Sequence, residues 1–82
     1  MYSIQIEENA EKFLKKLNKR DGEMILRKIY SIRENPFRFL KRLQGEKFWR
    51  LRIADYRAIV DVVILANKII VLRIGHRKNV YD

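Results

Sequence analysis

FWRLRIADYRAIVDVVILANKIIVLRIG, residues 48–75, decides how this chain folds. Its first six residues alternate, with Trp49, Leu51 and Ile53 on one side and Phe48, Arg50 and Arg52 on the other. That is the two-residue period of an extended strand. Ala54-Asp55-Tyr56 reads as a turn, and Arg57 to Leu65 as a second strand, apolar apart from Arg57 and Asp61. Ala66-Asn67-Lys68 closes a hairpin, with Asn67 suited to a positive φ. Ile69 to Ile74 is a third strand, which Gly75 ends. Connections this short leave no room for crossovers, so the three strands form an antiparallel meander. Strands so continuously apolar need a covering layer, which the rest of the chain has to supply.

Upstream, Tyr2, Ile4 and Ile6 alternate with polar residues and predict a short first strand. Ala10, Phe13, Leu14 and Leu17 then recur at helical spacing and give one apolar stripe on a charged helix. Asn18 through Gly22 reads as a polar break in which Asp21 or a neighbour caps a second helix. Ile25, Ile29 and Ile32 stripe that helix, with Leu26 and Tyr30 widening the stripe. Asn35-Pro36 stops it, because proline disfavours helix in the residue before it. Residues 37–46, FRFLKRLQGE, read as irregular and basic, with a turn at Gly45. The expected fold is α+β: a helical hairpin packed on a small, mainly antiparallel twisted sheet, in the order β-α-α-β-β-β. A further strand is expected near Val80, and residues 1–82 form a single domain. The hairpin covers one face of the sheet and leaves the other to the cations.

With 82 residues the chain holds one small domain. A domain of this size buries roughly 60–65% of its unfolded surface. Cysteine is absent, so neither a disulfide framework nor a cysteine metal site holds the fold, and a reducing cytoplasm fits. Residues 1–13, MYSIQIEENAEKF, lack the basic segment and apolar run of a signal peptide, and no apolar run is long enough to span a bilayer. The net charge is +9 and is unevenly spread. Residues 1–34 carry eight Lys/Arg against six Asp/Glu, or +2; residues 35–82 carry eleven against four, or +7. A field of that kind attracts polyanions such as nucleic acid, an anionic membrane or an acidic protein. A merely solvated coat accounts for the first half better than for the second.

Arg50 and Arg52 project from one face of a strand about 7 Å apart, close to the phosphate spacing of a single nucleic-acid strand. Burying them unpaired against helices is costly, so their face is either solvent or a ligand site. Arg57 opens the next strand beside Asp55, where a local ion pair is the bland alternative. Arg73 lies near the end of the third strand and His76, Arg77 and Lys78 follow it; alone, His76 reads as an edge-strand side chain with no catalytic duty. As a set the arginines differ from a coat, because strand ends in a meander converge. Phe37, Phe39, Phe48 and Trp49 lie among the cations and are able to stack bases, although Trp49 and at least one Phe are expected in the core.

The sequence contains no P-loop, no GxGxxG and no HExxH, and the basic half has no paired carboxylates. With no cysteine and one histidine, no metal or other cofactor is expected. Any chemistry therefore runs on Arg, Lys, Tyr and His. That selects phosphoryl chemistry at a nucleic-acid backbone, where stabilising an anionic transition state is the main task.

WRLRIADYRAIVDV, followed by VLRIGHRKNVYD and preceded by a helical hairpin, resembles the RelE/ParE superfamily of type II toxin–antitoxin toxins, and its RelE-like mRNA interferase branch in particular. The resemblance implies a ribosome-dependent endoribonuclease that cuts mRNA in the A site, the 2′-OH attacking the adjacent phosphorus. Carried over by position, Arg57 and Arg77 match arginines that orient the mRNA and stabilise the transition state, and Tyr81 matches a terminal tyrosine important for cleavage. Arg50 falls on the strand that bears basic catalytic residues. Arg52, Lys47, Arg73, His76 and Lys78 are expected to bind RNA. The pattern departs where bacterial RelE has two lysines, since Phe48 and Arg50 align there. Arginine hardly deprotonates at any working pH, so another group takes the 2′-OH proton, with Tyr81, His76 and Lys47 as candidates, or else positioning and charge dominate.

The resemblance also implies partners: a RelB-like antitoxin with an acidic, largely helical segment, the ribosome and mRNA, and operator DNA reached only through the antitoxin. No membrane partner is expected, and the location is cytoplasmic. The ParE branch shares the fold but poisons DNA gyrase without a nuclease site, and it is the alternative reading. A nontoxic RNA-binding module is a third.

Overall fold

The computed structural model describes residues 1–77. Strand β1 (Ser3–Ile6) leads into helices α1 (Glu8–Lys16) and α2 (Lys19–Ser31). A 3-10 turn at Pro36–Arg38 and a two-residue strand β2 (Lys41–Arg42) precede the meander of β3 (Trp49–Ile53), β4 (Tyr56–Val63) and β5 (Lys68–His76). The five strands lie in the order β1-β5-β4-β3-β2. β1 runs parallel to β5, with Ser3 opposite Lys68 and Ile6 opposite Val71, and the other pairs are antiparallel.

The helices pack on one face. Ile25, Ile29 and Ile32 are fully buried, as the period of α2 predicts, and Ala10 of α1 joins them. They meet Leu51 and Ile53 of β3, Ala58 and Val60 of β4, and Ile69, Val71 and Ile74 of β5. Each such isoleucine contributes about 1.5–3 kcal/mol of transfer free energy, so α2 holds the layers together. Tyr30 lies at the margin of the stripe and is exposed. On the opposite face a smaller cluster joins Leu43 and Ile59, with Phe48 and Leu72 packed against them.

Several local features differ from the expectations. The break between the helices is shorter than Asn18–Gly22, because α2 begins at Lys19. Asn18 is the cap, its side chain accepting from the Asp21 N–H at 2.9 Å and satisfying one of the donors a helix start leaves open. The 37–46 segment contains β2, whose two residues pair with Trp49 and Arg50. Tyr56 belongs to β4 and not to the turn, leaving Ala54 and Asp55 as a two-residue hairpin loop with Ala54 at φ 51°. Asn67 has the expected positive φ, 54°. Gly75 does not end the third strand, which continues to His76. The strand expected near Val80 lies outside the described residues.

A bulge interrupts the β4–β5 pairing. Ile59 stands opposite Arg73 and Val60 opposite Val71, which leaves Leu72 as the extra residue. It joins the Leu43–Ile59 cluster on the face away from the helices.

Candidate functional site

The pairing register lays the cations in two rows across the sheet. Lys41 of β2 faces Arg50 of β3, Arg50 faces Ile59 of β4, and Ile59 faces Arg73 of β5. One step along, Arg52 faces Arg57, and Arg57 faces Gly75. Phe39, Lys41, Arg50, Arg52 and Arg57 together line a pocket of about 90 Å³. Directly opposed like charges destabilise a sheet, so four cations around one small space make a site whose field calls for an anion.

The β3–β4 turn is tied to the end of β5, where the Arg77 N–H donates to the Asp55 carbonyl at 2.9 Å. Arg77 therefore leaves the sheet beside the turn that joins Arg52 to Arg57. Arg73 stands two strands from Arg50, with Ile59 between them.

Other predicted residues stand elsewhere. The His76 ring lies 4.9 Å from that of Tyr56 and 6.0 Å from that of Phe13, against the helical layer. Tyr56 in turn donates its phenol proton to Asp21 Oδ2 at 2.7 Å. That hydrogen bond, with burial and the charges of Asp21 and Asp55, raises the Tyr56 phenol above its ordinary value of 10.0. Lys47 lies 3.8 Å from Asp61 and over the Phe48 ring, and it is not among the described residues lining the pocket. Lys78 and Tyr81 lie outside the described residues.

Of the pocket residues, Phe39 was among the aromatics expected to be able to stack bases, and Lys41 was not predicted as a site cation. The signal that finds Lys41 is its pairing with Arg50, a long-range register with no local pattern. Phe37 and Trp49 make an edge-to-face pair at 5.1 Å, and Arg42 lies 4.9 Å over Trp49, so those aromatics serve the sheet edge. A second, larger concavity of about 480 Å³ lies along the helices, lined by Leu14, Leu17, Leu26 and Tyr30 among others.

The family model describing the ParE toxin of type II toxin–antitoxin systems, parDE, matches residues 4–81. The chain belongs to the ParE toxin family. It is thus a toxin of a type II toxin–antitoxin system, within the RelE/ParE superfamily. No curated protein matches it in sequence at a significant level. Among solved structures, the toxin fold of this family member is similar to that in the RelBE2 toxin–antitoxin complex of Mycobacterium tuberculosis, with a TM-score of 0.85 and 23% identity over 93% of this chain and 98% of that one. It is also similar to the archaeal RelE–RelB complex from Pyrococcus horikoshii OT3, with a TM-score of 0.80 and 24% identity over 96% and 98% of the two chains. The intact RelBE complex of E. coli gives 0.75 and 23% over 93% and 96%. At these identities the likeness establishes the RelE-type architecture of the ParE family member: two helices on an open, mostly antiparallel five-stranded sheet.

Proposed function

We propose that this toxin is a ribosome-dependent mRNA endoribonuclease acting in the A site. The observation that carries the reading is the convergence of Arg50, Arg52, Arg57 and Lys41 on one pocket, on the face the helices leave open. The 2′-oxygen of the RNA attacks phosphorus, the bond to the 5′-oxygen breaks, and a cyclic phosphate and a 5′-hydroxyl result. Negative charge accumulates on the phosphoryl oxygens as the bond forms, and preplaced guanidinium groups stabilise it there more than in the ground state. Arg57 and Arg50 are assigned this role, Arg77 orients the strand from the neighbouring turn, and Tyr81 acts at the leaving group or as a stacking surface. Arg52, Arg73 and Lys78 hold flanking phosphates.

An antitoxin partner is supported by the structural neighbours, several of which were solved as RelB–RelE complexes. An acidic antitoxin segment complements a net charge of +9 and neutralises the toxin by occupying the basic face. Operator DNA is then bound through the antitoxin.

The family match itself favours a second reading, in which a ParE-type toxin uses its surface to bind DNA gyrase and cuts nothing. Primer extension on mRNA with programmed ribosomes separates the two. The nuclease reading expects A-site cuts from the wild type and none from Arg77→Ala. No cuts, together with inhibition of gyrase supercoiling, would establish the second reading.

A further inference from the structure

We infer that Phe39 and Lys41 form a one-nucleotide subsite beside the arginine pocket, the Phe39 ring stacking on a base of single-stranded RNA and Lys41 meeting the adjoining phosphate. The subsite rests on the nuclease reading above.

Phe39 follows the Pro36–Arg38 turn, and its N–H donates to the Pro36 carbonyl at 3.0 Å. The Leu40 N–H donates to the same carbonyl at 3.0 Å, and Pro36 and Leu40 are both buried. The backbone under the ring is therefore clamped on both sides. The ring itself is 39% exposed and joins neither apolar cluster of the described residues. A single exposed phenylalanine needs no explanation. This one is different because it forms a wall of the pocket otherwise lined by Lys41, Arg50, Arg52 and Arg57. Lys28 Nζ lies 4.8 Å from its centroid and the Arg38 guanidinium 6.0 Å.

A rigidly mounted flat apolar ring among cations matches a ligand with a flat apolar face flanked by negative charges. A nucleotide has both; a carboxylate-bearing peptide segment supplies the charge without requiring the ring. Lys41, directly opposite Arg50, is placed for the phosphate next to the one the arginines hold. Stacking of this kind tolerates any base, so the subsite positions the strand and does not read the codon.

The test is cutting by programmed ribosomes on mRNAs carrying an abasic nucleotide at each position in and beside the A-site codon, with the wild type and with F39A, F39L and F39W. Leucine keeps apolar volume without a stacking face, and tryptophan restores the face. One abasic position should lower wild-type kcat/KM by roughly 5- to 150-fold, the range for loss of one stacked base. F39A and F39L should lose a similar factor on intact mRNA and nothing further at that abasic position, while F39W stays near wild type. An F39A that cuts as well as the wild type would overturn the subsite, as would a loss that multiplies with the abasic loss. So would an F39A impaired only in binding an acidic antitoxin segment, which would make that segment the ring's partner. A wild type that makes no cut overturns the nuclease reading and the subsite with it; a cutting wild type with an indifferent Phe39 overturns the subsite alone.

Discussion

Arg52 and Arg57 stand directly opposite each other across the β3–β4 pair, at the turn that also receives the N–H of Arg77. Cross-strand partners of like charge lie roughly 5 Å apart at Cβ and cost a sheet stability. Both side chains line the pocket, where a bound anion would offset the repulsion.

Replacing one partner by an acid should therefore separate stability from activity. Arg52→Glu is expected to gain about 0.2–1 kcal/mol, through an opposite-charge pair with Arg57. It is also expected to lose RNA binding. Urea denaturation measures the first effect and mRNA cutting the second; a variant both less stable and fully active would contradict the assignment.

Arg50 offers a test through salt. If its guanidinium neutralises one phosphate of a single strand, Arg50→Gln should flatten the slope of log affinity against log salt by about 0.7. Filter binding of an RNA oligomer at several ionic strengths reads this directly. A parallel, merely shifted line would remove Arg50 from the phosphate contacts.

The Tyr56–Asp21 hydrogen bond links stability to alkaline pH. The phenol is raised above 10.0 in the folded chain, first by that hydrogen bond and then by burial and the nearby carboxylates. A group raised on folding contributes fully below its unfolded value and loses that contribution as pH climbs through the folded value. Unfolding midpoints should thus be flat for this group at neutral pH and fall above about pH 10. Tyr56→Phe should be less stable at pH 7 and lack this component of the alkaline decline.

Ala54 occupies the left-handed region, with φ 51°, in the two-residue loop between Arg52 and Arg57. Left-handed backbone costs a residue with a Cβ about 1–2 kcal/mol, which glycine avoids at some cost in unfolded-state entropy. Ala54→Gly should raise stability by up to about 1 kcal/mol in thermal or urea melts. A loss instead would place the strain elsewhere.

The meander and both helices were legible because each carries a period its burial enforces. Ile25, Ile29 and Ile32 sit where a helical stripe puts them, and Leu51 and Ile53 where alternation does. β2 was not legible, since two residues leave no period, and with it Lys41 was missed as a pocket cation. The arginines were singled out by residue type and strand position, but which of them share a pocket depends on register between segments distant in sequence. The face of His76 was partly readable. It lies two residues from the buried Ile74, which points it to the helical side where its ring meets Tyr56 and Phe13.

The bulge at Leu72 has a consequence for how the toxin tolerates change. Before it, odd-numbered residues of β5, Ile69 and Val71, enter the core; after it the even-numbered Ile74 does. The extra residue thus inverts the strand's parity midway and makes its two halves separately adjustable. Remodelling the Ile64–Asn67 hairpin leaves the site end in phase, and deleting Leu72 alone would remove the bulge while keeping Arg73 opposite Ile59 and Ile74 toward the core, whereas inserting one residue after Arg73 would turn Ile74 away from the core.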